Sequence, residues 1–403
     1  MKFDFTTIMD RHGKDALAVD ALGTIPGMSP DAPKEGFDFI PMWIADMNFP
    51  TCPTICEAIT ERVKHPAFGY FNPTDAYYNS IIDWHAKRKG VSDIKPEYIG
   101  YENGVLGCVA SALGAFTSPG DYILMHSPTY IGFTNTILKA GRRIIHSPMV
   151  QDEKGIWRMD NEDMDKKLKA YNIHLAIFCS PHNPAGRVWE KEEIEKAMEV
   201  YKANDVIVVS DEIWSDLILP GHNHIPTQSV SEDAKMRTIG AYAPSKTFNL
   251  AGLVGSYHVI YSKYLRDRMN AHARTTHYND MNVLSMHALI GAYCNEGHQW
   301  VDELIQVLEQ NISYVYDYIN NNFKGVEVTK PEGTYMMYLD CKAFCEEKNL
   351  TLDQVLKMGW DVGVGYQDGR PFNNPYGIRL NLALPHSRVV EAIDRLNKYV
   401  FNK

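Results

Sequence analysis

The sequence predicts an α/β protein with a large, mostly parallel sheet and a smaller α+β unit near the carboxyl terminus. Between about residues 50 and 274, short apolar runs bounded by Gly, Pro or polar residues alternate with amphipathic helical patterns. Such alternation is typical of parallel sheets, because each crossover helix covers a face of the sheet. Beyond about residue 282 the regular alternation is lost, and the start of the chain is rich in Pro, Gly and Asp. We expect an amino-terminal arm at 1–45 that packs with the small domain, a large domain at 46–285 and a small domain at 286–403.

The individual elements follow from these patterns. The predicted strands of the large domain are 122–125, 143–146, 175–179, 206–210, 238–242 and 256–260. The predicted helices of the large domain include 105–116, 160–171 and 190–203. In the small domain we expect a continuous helical region at 282–323, strands at 334–340 and 377–383, and helices at 351–358 and 387–399.

Length and charge exclude several classes of function. A chain of 403 residues can bury a large core. The net charge of −10 argues against nucleic acid and anionic membranes, which both attract basic surfaces, and favours a small-molecule partner. The longest apolar runs are strand-sized, far below the roughly 20 residues that span a bilayer. Since residues 1–10 also lack a basic segment followed by an apolar stretch, we expect a cytoplasmic protein.

The cysteine and histidine positions do not indicate a metal site. Seven cysteines occur without a Cys-x-x-Cys pair, and none has histidines at the spacing of zinc ligands. We expect free thiols and no bound metal. His222 and His224 follow Pro220-Gly221 and are predicted to lie in a solvated loop.

Three polar residues follow predicted strands in an order that suits one cofactor. Asn183 follows strand 175–179, Asp211 follows strand 206–210, and Lys246 follows strand 238–242. Ligands of open α/β sheets bind at the carboxyl ends of the strands. A lysine that forms a Schiff base, an aspartate that pairs with the pyridinium nitrogen and an asparagine that donates to the phenolate oxygen are what pyridoxal 5′-phosphate (PLP) requires. The sequence therefore predicts PLP attached to Lys246.

Three further features fit the same cofactor and an amino acid substrate. Gly104-Val105-Leu106-Gly107 opens a helix whose N–H groups suit a phosphate, with simple helix capping as the alternative. Tyr130 is placed to stack on the pyridine ring, unless it is a core tyrosine. Arg379 lies in an apolar strand and is suited to a substrate carboxylate, unless it forms an internal salt bridge.

These residues, in this order, resemble the fold-type-I PLP enzymes of the aspartate aminotransferase superfamily. Within it, the chain is most similar to the cystathionine β-lyase and C–S lyase group of the MalY/PatB type. The motifs that carry this resemblance are Pro41-Met-Trp-Ile-Ala-Asp-Met47, Phe68-Gly-Tyr70, Ala243-Pro-Ser-Lys-Thr-Phe-Asn-Leu-Ala-Gly252 and Pro331-Glu-Gly-Thr-Tyr335. The similarity runs from about residue 37 to the carboxyl terminus.

The resemblance assigns a role to each candidate residue. It implies a seven-stranded large-domain sheet and a homodimer in which Tyr70 reaches the phosphate of the neighbouring subunit's cofactor. The other implied roles are Lys246 as Schiff-base lysine, Asp211 as pyridine partner, Asn183 as phenolate donor near the substrate, Tyr130 as stacking ring, Val105 and Leu106 as backbone phosphate donors, and Arg379 as receptor of the substrate α-carboxylate. As a separate hypothesis, Tyr130 lies on the expected leaving-group side and is a candidate acid for a departing sulfur.

Four positions depart from the pattern of the relatives. Ala243 replaces a phosphate-binding Ser or Thr and Val254 replaces an arginine, which leaves Ser245 or Tyr70 to compensate. Trp214 stands where many relatives carry Tyr or His, and its indole can only donate a hydrogen bond. Asn48 replaces an aspartate.

The reaction expected from the resemblance is β-elimination, in which a cystathionine- or cysteine-type L-amino acid yields a thiol, pyruvate and ammonia. Val254 favours this lyase chemistry, whereas the sequence at 367–372 differs from that of the lyase group and keeps an aminotransferase open as the alternative. A regulatory binding protein is a third hypothesis without a motif in its favour. The residues do not name the substrate side chain, although Trp43, Trp214, Tyr338 and Phe372 are candidates for an aromatic pocket.

Overall fold

A computed structural model describes residues 1–276 and 279–402. The strands are β1 (Ile40–Met42), β2 (Ile99–Asn103), β3 (Tyr122–Ser127), β4 (Arg143–Pro148), β5 (Val150–Gln151), β6 (Trp157–Arg158), β7 (Leu175–Cys179), β8 (Ile207–Asp211), β9 (Thr238–Tyr242), β10 (Gly255–Val259), β11 (Glu327–Val328), β12 (Met336–Asp340), β13 (Val364–Asp368) and β14 (Gly377–Asn381). The α-helices are α1 (Leu17–Asp20), α2 (Pro53–Val63), α3 (Asp75–Lys89), α4 (Gly104–Phe116), α5 (Ile131–Lys139), α6 (Asn161–Tyr171), α7 (Lys191–Ala203), α8 (Glu232–Arg237), α9 (Lys263–Thr276), α10 (Val283–Ala292), α11 (Asn295–Asn322), α12 (Lys342–Lys348), α13 (Leu352–Asp361) and α14 (His386–Leu396).

The large sheet has seven strands in the order β2-β10-β9-β8-β7-β3-β4. The pairs from β9 to β4 are parallel, and β10 runs antiparallel to both β9 and β2. Side chains alternate between two apolar layers: Ile123 and Met125 of β3 face α4, α5 and α9, whereas Leu124 faces α6 and α7. The predicted α/β fold with a mostly parallel sheet is confirmed.

The main departure in this sheet is β2, which the sequence did not predict. Only Ile99 and Glu102 of this edge strand are buried, so its residues lack a clear apolar alternation. The predicted bounds of β7 and β9 match the structure, while β8 begins and ends one residue later than expected. Asp211 is therefore the last residue of the strand itself.

The second sheet has five strands in the order β1-β13-β14-β12-β11. Strand β1, from the amino-terminal part of the chain, pairs in parallel with β13. Strand β13 was not predicted, and its Gly365 is required because a Cβ there would lie 2.1 Å from the ring of Phe39. The division into 1–45, 46–285 and 286–403 stays a prediction.

The predicted continuous helical region at 282–323 consists of two helices. Helix α10 ends at Ala292, and Cys294 caps α11 by accepting a hydrogen bond from the Gly297 N–H at 3.4 Å. Between the helices, the ring of Tyr293 stacks on Trp84 with centroids 4.4 Å apart. The apolar pattern is continuous across this break, so the sequence alone did not reveal it.

The solvated-loop prediction was wrong for His224. Its Nε2 lies 2.8 Å from a carboxylate oxygen of Glu212, and its side chain is 4% exposed. Glu212 also accepts hydrogen bonds from the Tyr242 hydroxyl and the Thr227 N–H. A buried carboxylate needs such partners, and the loop folds inward to supply the imidazole. His222 is exposed as predicted.

No helix within residues 1–276 and 279–402 is both long and apolar enough to cross a lipid bilayer.

A buried ion pair supports the loop that carries Lys246. Asp216 lies 2.5 Å from the Lys89 ammonium, and both side chains are at most 3% exposed. Asp216 also accepts hydrogen bonds from the Trp84 indole N–H at 3.0 Å and from the Thr247 hydroxyl at 3.0 Å. Although burial opposes it, the charge of Lys89 lowers the pKa of Asp216 to about 2.

We predict that Lys89→Met lowers the free energy of unfolding by about 3–5 kcal/mol, because it leaves the Asp216 carboxylate buried without its cation. Urea denaturation at neutral pH measures the change. Lys64→Met is the matched control, since the Lys64–Glu61 pair is exposed and its loss should cost less than about 1 kcal/mol. Equal losses in the two variants would contradict the prediction.

Candidate active site

Most of the predicted site residues surround one cavity of about 280 Å³. Because β7, β8 and β9 are parallel neighbours, the segments that follow them meet at one edge of the large sheet. Eight of the predicted site residues line the cavity: Val105, Leu106, Tyr130, Asn183, Asp211, Trp214, Ser245 and Lys246. Gly104 and Val254, which the sequence analysis also singled out, line it as well. The sequence assigned no role to the other lining residues: Ala45, Asn103, Ile213, Ala251 and Gly255.

Lys246 places a weakly basic amine in this cavity. Its Nζ donates a hydrogen bond to the Ala45 carbonyl oxygen at 3.0 Å. Burial, aided by the positive charge of Arg379, lowers the pKa of Lys246 to about 8, while the charges of Asp46 and Asp211 act in the opposite direction. A substantial fraction of the amine is therefore neutral near physiological pH, as a nucleophile or a base requires.

Asp211 is a buried carboxylate that contacts no cation within residues 1–276 and 279–402. It is 5% exposed and accepts a hydrogen bond from the Ile213 N–H at 3.0 Å. Burial raises its pKa to about 7, although the Ile213 N–H and the charge of Lys246 oppose the shift. No salt bridge to Asp211 forms among the described residues. A ligand that brings a protonated nitrogen would stabilise the anionic form.

The amino terminus of helix α4 lines the same cavity, and we call this part of the wall its phosphate end. The helix begins directly after β2, and Gly104 adopts φ +74° at the junction, a conformation that favours glycine. Free N–H groups and the positive end of a 13-residue helix suit a phosphate. Among the lining residues in the described chain, Lys246 is the only lysine or arginine, so this end lacks a cation of its own.

Val254 lines the same end of the cavity with an unusual backbone. Its φ is +61°, which is rare for a β-branched residue. Its position confirms that no arginine side chain reaches the cavity from here, and Ala243 likewise offers no hydroxyl. Ser245 is 9% exposed and lines the cavity.

Arg379 lies beside the cavity and is held by neutral groups. One guanidinium nitrogen donates to the Asn183 Oδ1 at 3.1 Å, and the other donates to the Trp43 carbonyl at 3.2 Å and to the Gln367 side chain. Its Nε has no partner in the described chain although the residue is 2% exposed. Burial lowers its pKa to about 10. The internal salt bridge is excluded for the described residues, and a buried guanidinium with an unused donor suits a carboxylate ligand.

Asn183 is oriented by this contact. Since its Oδ1 accepts from Arg379, its amide NH₂ is the group left to donate into the cavity. Tyr130 precedes α5 and lies against the same cavity. Burial raises the pKa of Tyr130, and the charge of Arg379 opposes the shift. Its hydroxyl is therefore protonated at neutral pH.

Of the four aromatic residues that the sequence suggested for a substrate pocket, one lines the cavity and three pack elsewhere. The Trp43 indole donates to the Ala18 carbonyl at 2.9 Å, and its fully buried ring belongs to the core of the amino-terminal arm. Phe372 lies beneath Arg379, with the guanidinium 4.5 Å from its ring centroid. Tyr338 donates to the Gly369 carbonyl at 3.0 Å, and Trp214 makes an edge contact with Tyr335. Trp43 is therefore a core residue, whereas Trp214 lines the cavity.

Tyr70 does not reach the cavity of its own chain. It is fully exposed, in a segment without regular structure between α2 and α3. Phe68 in the same segment is also exposed. The Arg62 guanidinium lies 5.0 Å from the Phe68 ring centroid, and this contact leaves both aromatic side chains exposed.

The cavity as a whole fits PLP. Asp211 lacks a cation that a protonated pyridine nitrogen would supply, the α4 terminus suits a phosphate, and the Lys246 amine is weakly basic enough to attack an aldehyde. The site is therefore matched to the cofactor at three separate points.

Comparison with known proteins agrees with this geometry. The sequence profile described as "Aminotransferase class I and II" matches residues 38–396. The chain is 34% identical over 350 residues to cystathionine beta-lyase PatB of Bacillus subtilis (strain 168), covering 87% of this chain and 88% of PatB. Cystalysin from Treponema denticola, whose crystal structure contains pyridoxal 5′-phosphate, superposes with a TM-score of 0.89 at 30% identity, covering 99% and 98% of the two chains. The PLP-bound C–S lyase from Staphylococcus hominis superposes with a TM-score of 0.87 at 29% identity, covering 98% of each.

We predict that Asp211→Asn stabilises the cofactor-free protein increasingly as pH rises. Between its ordinary pKa of 3.8 and about 7, the unfolded chain releases the Asp211 proton before the folded chain does, so the wild type loses stability with rising pH. The stability gap between variant and wild type should widen by about 2–3 kcal/mol from pH 5 to pH 7. Urea denaturation at several pH values measures it. An exposed control, Asp83→Asn, should show no such widening, and a pH-independent gap for Asp211→Asn would refute the assignment.

Proposed function

The chain belongs to the aminotransferase class I and II family, and from this premise we propose that it is a PLP-dependent carbon–sulfur β-lyase. Its substrates would be cystathionine- or cysteine-type L-amino acids, which it would convert to a thiol, pyruvate and ammonia. The names of cystathionine beta-lyase PatB and of the C–S lyase from Staphylococcus hominis support the reaction type, and the PLP in the cystalysin structure supports the cofactor. The observation that carries the proposal is the cavity itself, where a weakly basic Lys246 and an unpaired Asp211 line the same space.

When bound, PLP would supply an electron sink for the charge that develops at the substrate Cα. We assign its covalent attachment to Lys246, its pyridine nitrogen to Asp211 and its phenolate oxygen to the amide NH₂ of Asn183. Backbone N–H groups of Val105 and Leu106, with the Ser245 hydroxyl, would hold the phosphate. Tyr130 would lie on the ring face, and the Trp214 indole can only donate at the ring edge.

The substrate α-carboxylate would bind Arg379. This arginine is already oriented by Asn183 and Gln367, and its partnerless Nε leaves one donor available. Its burial strengthens the attraction to an anion. Binding at this point would place the substrate Cα near the Lys246 amine.

Proton transfer would then pass through Lys246. After the substrate amino group has displaced Lys246 from the cofactor, the freed neutral amine would take the Cα proton, and the Cβ–S bond would break with its electron pair leaving on sulfur. A thiolate leaving group needs a proton, which the Tyr130 hydroxyl can donate because burial keeps it protonated. Hydrolysis of the remaining three-carbon fragment would give pyruvate and ammonia.

Transamination is the second candidate function. The family description favours it, and residues 367–372 differ from the lyase group in the segment that holds Arg379. In that reaction Lys246 would return the proton to the cofactor rather than assist loss of the sulfur group. Both reactions share the cavity residues, so the products distinguish them.

We predict that the PLP-loaded protein releases free thiol and pyruvate from L-cystathionine without an added keto acid. Colorimetric thiol detection and coupled pyruvate assay measure both products. Lys246→Ala should lose the absorbance of the lysine-linked cofactor and all turnover, whereas Lys263→Ala, which alters an exposed lysine, should behave like the wild type. Keto-acid-dependent turnover without thiol release would establish the aminotransferase instead, and inactivity both in the elimination assay and with an added keto acid, together with a colourless protein, would refute the proposal.

We also propose a homodimer with shared active sites. The phosphate end of the cavity has no cation apart from Lys246 among its lining residues in the described chain, so it is electrostatically incomplete. Tyr70 is fully exposed and suited to reach the phosphate in a neighbouring subunit. The exposed aromatic Phe68 beside it would be buried by the same contact.

The domain organisation and the location of the protein are proposed on the same basis. We propose an arm at 1–45, a large domain at 46–285 and a small domain at 286–403. We propose a cytoplasmic location, which the seven unpaired cysteines support, because exported proteins commonly pair theirs.

Subunit mixing tests the shared site. We predict that co-refolding the inactive Lys246→Ala and Tyr70→Ala variants restores elimination activity, because one site of each heterodimer combines an intact Lys246 with an intact Tyr70 from the other chain. Lys246→Ala mixed with Asp211→Ala is the matched control. These two residues line the same cavity of one chain, so that heterodimer has no intact site. Equal activity in the two mixtures would refute the shared site.

A further inference from the structure

Arg11 links the start of the chain to the segment that contacts Lys246. Arg11 extends from the irregular segment before α1, and its guanidinium lies 2.8 Å from the Asp46 carboxylate. The two side chains are 14% and 21% exposed, so this ion pair is largely removed from water. The second amino group of Arg11 donates to the Met47 carbonyl and to Asn48 Oδ1, both at 3.3 Å.

Asp46 is joined in turn to the loop that carries Lys246. Its second carboxylate oxygen accepts a hydrogen bond from the Asn249 amide NH₂ at 2.9 Å. The same NH₂ also donates to the Met47 carbonyl, and the Asn249 Oδ1 accepts from the Met47 N–H. Asn249 lies three residues after Lys246 and adopts φ +57°. The Lys246 amine donates to Ala45, the residue before Asp46. The 45–47 segment is thus bonded to the lysine loop at two points.

The positive charge of Arg11 balances the negative charge of Asp46. Asn48 contributes a neutral amide, and its Nδ2 is buried without a partner in the described chain. Asp46 is therefore the carboxylate that the Arg11 guanidinium contacts. Loss of the arginine would leave an uncompensated negative charge beside the lysine loop.

We propose that Arg11 is a positioning residue for the reaction at Lys246: by pairing with Asp46, it sets the net charge that the lysine amine experiences. This inference rests on the proposed attachment of PLP to Lys246.

The charged groups that face Lys246 make the direction of the effect clear. Arg379 lowers the pKa of the Lys246 amine, and Asp46 and Asp211 raise it. Tyr130 and Tyr335 stay protonated at neutral pH because burial raises their pKa values. Removing the Arg11 charge would strengthen the field of Asp46 and favour the protonated form of the lysine nitrogen.

Spectroscopic titration of the PLP-loaded protein tests this proposal without measuring turnover. The absorbance of the lysine-linked cofactor changes with protonation of the lysine nitrogen, and its midpoint pH is compared across variants. Arg11→Gln should raise the midpoint by about half a unit to one unit, and Asp46→Asn should lower it by a similar amount. The double variant, which restores charge balance, should return close to the wild-type midpoint.

Two further variants separate electrostatics from folding. Arg11→Lys keeps the charge with fewer hydrogen bonds, so it should retain the wild-type midpoint even where its melting temperature falls. Lys2→Gln removes another cation of the arm, whose partner is the distant Glu296, and should leave the midpoint unchanged. An Arg11→Gln protein with a lower melting temperature and an unshifted midpoint would overturn the proposal. A wild-type protein that shows no cofactor absorbance would refute the PLP assignment instead, so the two failures are distinguishable.

Discussion

The site depends on one electrostatic constraint, which is the burial of Asp211 without a cation. A carboxylate at the end of a central parallel strand is surrounded by apolar layers on both faces of the sheet, and burial raises its pKa to about 7. The pKa of the neighbouring Glu212 is lowered instead. Burial alone would raise it, but hydrogen bonds from His224, Thr227 and Tyr242 outweigh that effect. Two adjacent carboxylates thus differ in their partners alone. The fold gives hydrogen-bond partners to Glu212, which does not line the cavity, and leaves Asp211 available to a ligand.

Much of this arrangement could be predicted from the sequence, because strand ends are local features. The predicted bounds of β7 and β9 equal the observed ones. Because β7, β8 and β9 are parallel neighbours, the residues at or after their ends, Asn183, Asp211 and Lys246, lie at one edge of the sheet. Long-range partners could not be predicted. Nothing local to His224 indicates that it reaches Glu212, and nothing local to Arg11 indicates that it pairs with Asp46. Such contacts depend on which segments the tertiary fold brings together.

At the phosphate end of the cavity, the sequence predicted which side chains are absent but not the backbone conformation. The sequence correctly indicated that Ala243 and Val254 remove a hydroxyl and a cation, but it did not reveal the backbone that results. Val254 adopts φ +61°, and the end is left with the amino terminus of α4 and the Ser245 hydroxyl. Helix-terminal N–H groups are worth less than a buried arginine against a dianion, since each carries only a partial charge. This deficit is the physical reason to look for a contribution from a second subunit.

The proposed carboxylate site is built from both sheets and lies between them. Arg379 belongs to β14 of the five-stranded sheet, while Asn183 follows β7 of the seven-stranded sheet, and their side chains meet at 3.1 Å. A second contact between these parts joins the buried Arg187 to Glu332, whose carboxylate also accepts from the Val188 N–H at 2.9 Å. Because Arg379 has no carboxylate of its own, an incoming anion would bind where the sheets meet and add an attraction that neither sheet provides alone. In the proposed site, substrate binding and the relative position of the sheets would therefore be coupled, and a substrate without an α-carboxylate would lose orientation at the Lys246 amine as well as affinity.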